Sequence, residues 1–139
     1  MMMPDLQSCL ICDDVRQERN GKFILIGIFD ALAAPALPVR HPQLAVVTRW
    51  CSGEGEFKQK TKLLGPDQQT VVVEGQEIPV RLPSAEATAT QVEFFLNAVF
   101  PTEGIYWLEV ILNGDLKLRC PLRVNRIKPP PAPPGPHAP

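Results

Sequence analysis

Apolar and polar residues alternate along much of this chain with a period of two, which is the period of a β-strand rather than of an amphipathic helix. The clearest stretches are residues 92–100, 106–112 and 116–124, whose even-numbered members are apolar. Successive side chains of a strand point to opposite faces of a sheet, so each stretch predicts a strand with one buried face. Together they predict an antiparallel meander at the C-terminal end of the body.

Short turn sequences separate the predicted strands. Asn113-Gly114-Asp115 supplies residues that tolerate the positive φ angles of a tight hairpin. If the even-numbered residues of both flanking strands point inward, a two-residue loop would place Val110 opposite Lys117. We therefore expect a loop of three residues or a bulge, and we favour the longer loop. Asn20-Gly21 predicts a second hairpin near the N-terminus.

Further strands are predicted upstream of the meander. Phe23–Phe29 has no polar face, which predicts a central strand covered on both sides. Other β-rich segments are 6–15, 44–50, 57–63, 71–73 and 78–82. We count seven or eight strands and no amphipathic helix of useful length. The expected fold is all-β, a single antiparallel β-sandwich of the Ig/C2-like kind, with a small β-barrel as the alternative.

The chain divides into a β-sandwich domain at 1–127 and a tail at 128–139. The tail holds seven of the 16 prolines and predicts a disordered, polyproline-like extension. Lys128, Pro131 and Pro134 have the spacing of a ligand for proline-reading modules. Any run so rich in proline satisfies that pattern by chance, so a plain spacer is the favoured interpretation.

Composition indicates an ordinary globular body. Hydrophobic residues make up 45% of the 139 residues, charged residues 21%, and the net charge is −1. A chain of this size can bury a core without metal or disulfide staples. The near-neutral charge gives no general attraction to nucleic acid or to an anionic membrane. The N-terminus has no secretion-signal pattern, so we expect a cytoplasmic protein whose cysteines are mostly thiols.

Several segments carry a resemblance to known proteins. They are Cys12-Asp13-Asp14-Val15-Arg16, Gly21-Lys22, Leu25-Ile26-Gly27-Ile28-Phe29-Asp30, His41-Pro42-Gln43-Leu44-Ala45-Val46-Val47, and Gly104-Ile105-Tyr106-Trp107 running to Pro121-Leu122-Arg123-Val124. With them the chain resembles a family of uncharacterised bacterial proteins, from about residue 6 to about residue 124. The resemblance implies a single β-sandwich-like domain in the cytoplasm. It brings no known activity and no catalytic residues.

Four cysteines, Cys9, Cys12, Cys51 and Cys120, could in principle hold a tetrahedral zinc through their thiolates. Yet Cys9 and Cys12 lie in a predicted strand, where residues three apart face opposite sides, and no second Cys-x-x-Cys completes the set. We favour buried free thiols and expect no metal and no cofactor. A redox role for the Cys-x-x-Cys is weaker still, because such motifs normally open a helix.

No catalytic site is indicated. Of the two histidines, His137 lies in the predicted tail, so a histidine mechanism would depend on His41, which no motif ties to a nucleophile. The chain has no glycine-rich phosphate loop. Asp13, Asp14 and Asp30 could meet and bind calcium, but their irregular spacing favours solvated turn carboxylates. We therefore expect that the protein is not an enzyme.

The outward face of the predicted meander is unusually apolar. If Tyr106 and Leu108 point into the core, Ile105, Trp107 and Ile111 point away from it. An apolar patch with arginines on its rim is typical of protein interfaces. The interface candidates are Phe95, Val99, Ile105, Trp107, Ile111, Arg119 and Arg123. The alternative is that a loop at 31–38 covers these residues.

Two classes of function therefore stay open. The first is a non-catalytic interaction or assembly module, with a protein partner or a homo-oligomer and with neither nucleic acid nor membrane. The second is a small metal- or ligand-binding protein that uses the four cysteines. We favour the first, because the cysteine spacing lacks a complete metal-binding pattern whereas the apolar face has the composition of an interface.

Overall fold

The computed structural model of the chain describes residues 1–128. Strands make up 70% of these residues; the same range contains no helix, and so none long and apolar enough to cross a membrane. The predicted proline-rich tail, apart from Lys128, lies outside the described residues. The strands are β1 (Asp5–Gln17), β2 (Phe23–Ile28), β3 (Ala31–Ala34), β4 (Val39–Cys51), β5 (Gly55–Leu64), β6 (Val71–Glu74), β7 (Ile78–Leu82), β8 (Ala89–Phe100), β9 (Gly104–Leu112) and β10 (Asp115–Arg126).

The strands form two sheets. The four-stranded sheet has the order β2-β1-β4-β8, and the six-stranded sheet has the order β3-β10-β9-β5-β6, with β7 also paired to β5. Every pair is antiparallel except β3 and β10, which run parallel. The chain crosses between the sheets after β2, so β3 enters the second sheet beside β10 rather than as a hairpin partner. The predicted all-antiparallel arrangement is therefore wrong at β3, and the ten strands of residues 1–128 exceed the predicted seven or eight.

The hydrophobic core lies between the two sheets. The four-stranded sheet contributes Leu44 and Val46 of β4, and the six-stranded sheet contributes Tyr106 and Leu108 of β9. These side chains are buried, which confirms the inward even-numbered face predicted for β9. Burial of apolar surface stabilises by about 25 cal/mol per Å², so this layer is the main stabilising element of the fold.

The hairpin between β9 and β10 has a two-residue loop of Asn113 and Gly114, whose φ angles are 49° and 84°. Both angles are positive, as the twist of a type I′ turn requires. The favoured three-residue loop is therefore wrong. The alternative, a bulge, is present, because the register shifts at Lys117 and Leu118 pairs with Val110.

Strand β8 changes face part-way along its length. Phe95 is 4% exposed and packs in the core, whereas Leu96 is 63% exposed. The alternation predicted over 92–100 is therefore wrong in its first half. Asn97 has a φ angle of 56°, and a residue in this left-handed region interrupts the regular alternation of a strand. Beyond it, Phe100 points inward, as predicted.

Strand β2 lies at an edge of the four-stranded sheet, with β1 as its neighbour. Phe23, Ile24, Ile26 and Ile28 are 40%, 45%, 43% and 58% exposed. The predicted central strand covered on both sides is therefore wrong. An apolar run does not by itself determine whether its strand is covered on both faces, because the covering layer must come from another part of the fold. Residues 1–128 leave this edge open.

A buried hydrogen-bonded group joins the two sheets. Gln59 of β5 is 1% exposed, and its Oε1 accepts hydrogen bonds from Thr48 Oγ1 and Trp50 Nε1 of β4, both at 2.7 Å. The Thr48 and Trp50 side chains are also fully buried. Buried polar groups are tolerated when they are hydrogen-bonded, so this amide oxygen satisfies two donors that would otherwise destabilise the core.

We expect Gln59→Leu to lower the free energy of unfolding by about 2–6 kcal/mol, because two buried donors lose their acceptor at about 1–3 kcal/mol each. Urea unfolding of the purified chain measures this loss. Gln76→Leu, at an exposed position, is the matched control and should change the free energy by less than about 0.5 kcal/mol. Equal effects of the two substitutions would contradict the role of Gln59.

Glu93 of β8 places a second polar group between the sheets. Its carboxylate accepts hydrogen bonds from the Thr61 hydroxyl and, at 3.2 Å, from the Gln76 backbone N–H. Burial raises the pKa of Glu93 above its ordinary value, and the two hydrogen bonds offset part of that rise. Because the folded-state pKa lies above the unfolded one, ionisation of Glu93 destabilises the fold as pH rises through the folded value.

We expect Glu93→Gln to raise the unfolding temperature at neutral pH, because the amide removes the buried charge while the Thr61 hydroxyl can still hydrogen-bond to it. The gain over wild type should shrink as pH falls toward about 4, where the wild-type carboxyl becomes protonated. Thermal unfolding measured across this pH range tests the expectation, with Glu86→Gln at an exposed position as control. A gain that stays constant with pH would contradict it.

Candidate functional site

The sequence-predicted interface patch lies on the outward face of the six-stranded sheet. Ile105, Trp107 and Ile111 all point outward there and are half-buried. Arg119 donates two hydrogen bonds to Glu109 Oε2, at 3.1 and 2.7 Å. The loop proposed as a cover is instead partly β3, which pairs with β10 at the sheet edge. The role of this patch as an interface stays a prediction.

Two of the predicted interface residues lie elsewhere. Phe95 and Val99 belong to β8 of the four-stranded sheet, so they share no face with Trp107. Phe95 is buried in the core beside its strand partner Leu44 and is not available to a partner protein. Its assignment to the patch is therefore wrong, because the left-handed residue Asn97 reverses the face on which Phe95 lies.

Ion pairs cover much of the outward face of the six-stranded sheet. Lys60 pairs with Glu74 at 2.7 Å across neighbouring strands. Arg119 pairs with Glu109 at the same distance, and its Nη1 donates to Gln68 at 3.0 Å. Cross-strand pairs of opposite charge stabilise a solvated face, so this side of the molecule has the pattern of a surface adapted to water.

The outward face of the four-stranded sheet is different, because apolar side chains continue across all four of its strands. We call it the outer apolar face, and it comprises Leu10, Cys12, Val15, Phe23, Leu25, Ala45, Val47, Val92, Phe94 and Leu96. Cys12, Ala45 and Val47 at its centre are buried by their neighbours. At its margins Leu10, Phe23, Phe94 and Leu96 are exposed.

The outer apolar face was missed from the sequence, although a signal for it exists. Residues 44–47 are apolar without interruption, so β4 carries apolar side chains on both of its faces. Leu44 and Val46 fill the core, which sends Ala45 and Val47 to the opposite side. Because β4 is an inner strand of its sheet, its unbroken apolar run is the sequence signal for apolar side chains on both faces.

A depression of about 460 Å³ lies at one end of this face. Its lining combines apolar side chains with two cations and several hydroxyls: Ser8, Leu10, Gly21, Lys22, Phe23, Leu25, Val47, Arg49, Thr88 and Thr90. Arg49 Nη2 donates to Thr88 Oγ1 at 3.4 Å. A lining of apolar side chains and cations suits the apolar and acidic side chains of a protein segment.

The four cysteines do not converge on one point. Cys9 faces the core, Cys12 lies on the outer apolar face, and Cys51 ends β4. Cys120 of β10 lies near Cys9 across the gap between the sheets, and the two thiols line one depression. The four thiols therefore do not form the tetrahedral set that their number suggested, and residues 1–128 contain no group of three or more residues placed to hold a metal.

The Cys9 and Cys120 side chains lie close enough for each thiol to affect the pKa of the other, and the Cys120 thiol donates a hydrogen bond to the Leu108 carbonyl at 3.8 Å. The interaction with Cys120 raises the pKa of Cys9, and burial raises it further. The interaction with Cys9 lowers the pKa of Cys120, against the opposing effect of burial. Cys120 is therefore the sulfur of this pair that more readily becomes a thiolate.

The His41 ring packs edge-on against Phe29 with a centroid separation of 6.1 Å. Its buried Nε2 has no hydrogen-bond partner within residues 1–128.

Asp14, one of the three carboxylates considered for calcium, instead pairs with Arg16 at 3.0 Å.

The sequence kinship can be judged from a match to a family model. Residues 7–125 match the model described as "Family of unknown function (DUF6941)". The chain belongs to the DUF6941 family. No curated protein matches it. Membership confirms the kinship expected from the sequence but supplies no activity for the DUF6941 chain. The bacterial origin of the chain stays a prediction.

In this DUF6941 protein we expect iodoacetamide to alkylate Cys120 faster than Cys9, because the thiolate is the reactive form and the Cys9 thiol stabilises it on Cys120. Peptide mass mapping after short exposures measures both rates in the folded chain. Cys9→Ala should slow alkylation of Cys120, whereas Cys9→Ser keeps a donor and should slow it less. Faster reaction at Cys9 in the wild type would contradict this assignment.

Proposed function

We propose that this DUF6941 protein is a non-catalytic interaction module that binds a protein partner, or further copies of itself, through the outer apolar face. The observation that carries the proposal is the exposure of Leu10, Phe23, Phe94 and Leu96 on one continuous sheet face. Soluble proteins seldom leave contiguous apolar patches uncovered unless the patch binds something.

The contrast between the two outward faces supports this choice of surface. On the six-stranded sheet, charged pairs such as Lys60–Glu74 and Glu109–Arg119 separate the apolar side chains. On the four-stranded sheet, Phe94 and Leu96 of β8 stand beside Ala45 and Gln43 of β4, with no ion pair between these strands. Exposed apolar surface costs free energy in water, so cover by another protein would stabilise this face and not the other.

The depression beside Arg49 and Lys22 supports a protein segment as the occupant. Its lining combines apolar side chains with two cations, so a segment that combines apolar and acidic residues would satisfy both. We place this interaction in the cytoplasm of a bacterial cell, where the thiols stay reduced. The near-neutral charge of the chain supports the choice of a protein over nucleic acid or membrane.

We further propose that the fold is an Ig/C2-like β-sandwich. Two sheets with a shared core support this class. Tyr106 supports it as well, because its hydroxyl donates to the Thr102 carbonyl at 2.7 Å and accepts from the Thr102 N–H at 3.3 Å. A buried tyrosine that hydrogen-bonds to the backbone a few residues upstream is a hallmark of such sandwiches.

Site-specific photo-crosslinking in the protein's own host tests the proposed function. A photoreactive amino acid at Leu96 should give an adduct of defined mass, because this side chain is the most exposed one of the outer apolar face. The same probe at Gln69, an exposed loop position, is the control and should give none. Mass spectrometry of the adduct identifies the partner or a second copy.

A third probe at Trp107 separates the two candidate surfaces. Adducts at Trp107 without adducts at Leu96 would move the interface to the six-stranded sheet. No adduct at either position above the Gln69 control would contradict the interaction module. Circular dichroism and thermal unfolding of each labelled chain establish that the probes leave the fold intact.

A further inference from the structure

Two cysteine side chains meet in the gap between the two sheets. Cys9 lies on β1 of the four-stranded sheet and Cys120 on β10 of the six-stranded sheet, and both pack against the core that contains Leu44 and Tyr106. Both sulfurs are free thiols, and each lies close enough to affect the pKa of the other. Sheets that pack face to face can be bridged by a disulfide, as in immunoglobulin domains. The two thiols therefore have the placement that an inter-sheet disulfide needs.

A depression of about 440 Å³ between β1 and β10 makes this thiol pair accessible. Both cysteines are half-buried, and they share the lining of the depression with apolar residues such as Ile11, Phe29 and Pro121. Transfer of a charged group from water to apolar surroundings costs free energy. The depression therefore suits a small uncharged oxidant, such as hydrogen peroxide, better than a bulky charged one.

We propose that Cys9 and Cys120 form an oxidation site, which hydrogen peroxide converts into a disulfide that joins the two sheets. The proposal goes beyond the interaction module and does not depend on it. Redox-sensing cysteines are accessible, ionise readily and lie beside a second thiol that resolves the first oxidation product. Cys120 is the sulfur that reacts first, because its interaction with Cys9 lowers its pKa. Cys9 is the resolving thiol.

The oxidation proceeds in two steps. The Cys120 thiolate attacks one oxygen of the peroxide, the O–O bond breaks, and the other oxygen leaves as hydroxide, which takes up a proton to become water. The Cys9 sulfur then attacks the sulfenic sulfur of Cys120, the S–O bond breaks, and the Cys9 proton leaves with that oxygen as a second water. Hydrogen peroxide has then accepted two electrons from the two thiols. A reducing dithiol restores both thiols by exchange with the disulfide.

The other two cysteines lack this arrangement. Cys12 is buried on the outer apolar face, and Cys51 is half-buried at the end of β4. Neither of them lines the depression that holds Cys9 and Cys120. Cys51 is thus a half-buried thiol outside this site, and Cys51→Ser is the matched control.

Peptide mass mapping of the reduced, folded chain after treatment with hydrogen peroxide tests the proposal. We expect a pair of disulfide-linked peptides whose fragmentation assigns the bond to Cys9 and Cys120, and dithiothreitol should remove that link. Cys9→Ser should lose the link and stop at the sulfenic acid of Cys120, which dimedone labels. Cys51→Ser should form the link as wild type does.

Thermal unfolding of the oxidised chain provides a second measurement. A disulfide that closes the long loop from Cys9 to Cys120 restricts the unfolded chain and so stabilises the folded one. We expect the peroxide-treated wild type to unfold at a higher temperature than the untreated chain, and dithiothreitol to reverse this shift. Cys9→Ser should show no such rise after the same treatment.

Singly oxidised thiols without a bond between Cys9 and Cys120 would overturn the proposal. A bond that involves Cys12 or Cys51 instead, or one that forms only after the chain is unfolded in urea, would overturn it as well. These outcomes are read on the wild-type chain, so they do not depend on the folding of a variant. Circular dichroism establishes that Cys9→Ser and Cys51→Ser are folded before their results are compared.

Discussion

The two hydrogen bonds accepted by Gln59 constrain the rest of this fold. They join β4 to β5, inner strands of the two sheets, at one point in the core. Apolar burial is non-directional, whereas a hydrogen bond needs its atoms aligned, so this link sets the register between the sheets. Once β4 is held in that register, Leu44 and Val46 must point inward. Ala45 and Val47 must then point outward, and the outer apolar face follows from them.

The two outward faces of the molecule differ because their strands differ in composition. Strand β5 of the six-stranded sheet alternates buried residues with outward lysines, and Lys60 pairs with Glu74 of the neighbouring strand β6. The central residues 44–47 of β4 have no polar side, so the four-stranded sheet presents apolar side chains to both the core and the exterior. In a family without an assigned activity, this difference is the feature that most directly relates the fold to a function.

The outer apolar face and the β2 edge are continuous, because Phe23 and Leu25 belong to both. The thiol pair of Cys9 and Cys120 lies on the other side of the four-stranded sheet, against the core, so its chemistry is separate from this surface.

Local alternation alone determined the all-β class and the inward face of β9, because the direction of a strand side chain depends on its position along that strand. Tertiary structure decided what depends on long-range neighbours. A left-handed Asn97 placed Phe95 in the core, sheet order left β2 at an edge, and the crossing after β2 made β3 run parallel to β10. The meeting of Cys9 with Cys120 likewise required two sheets to pack, since no local pattern encodes which strands will face each other.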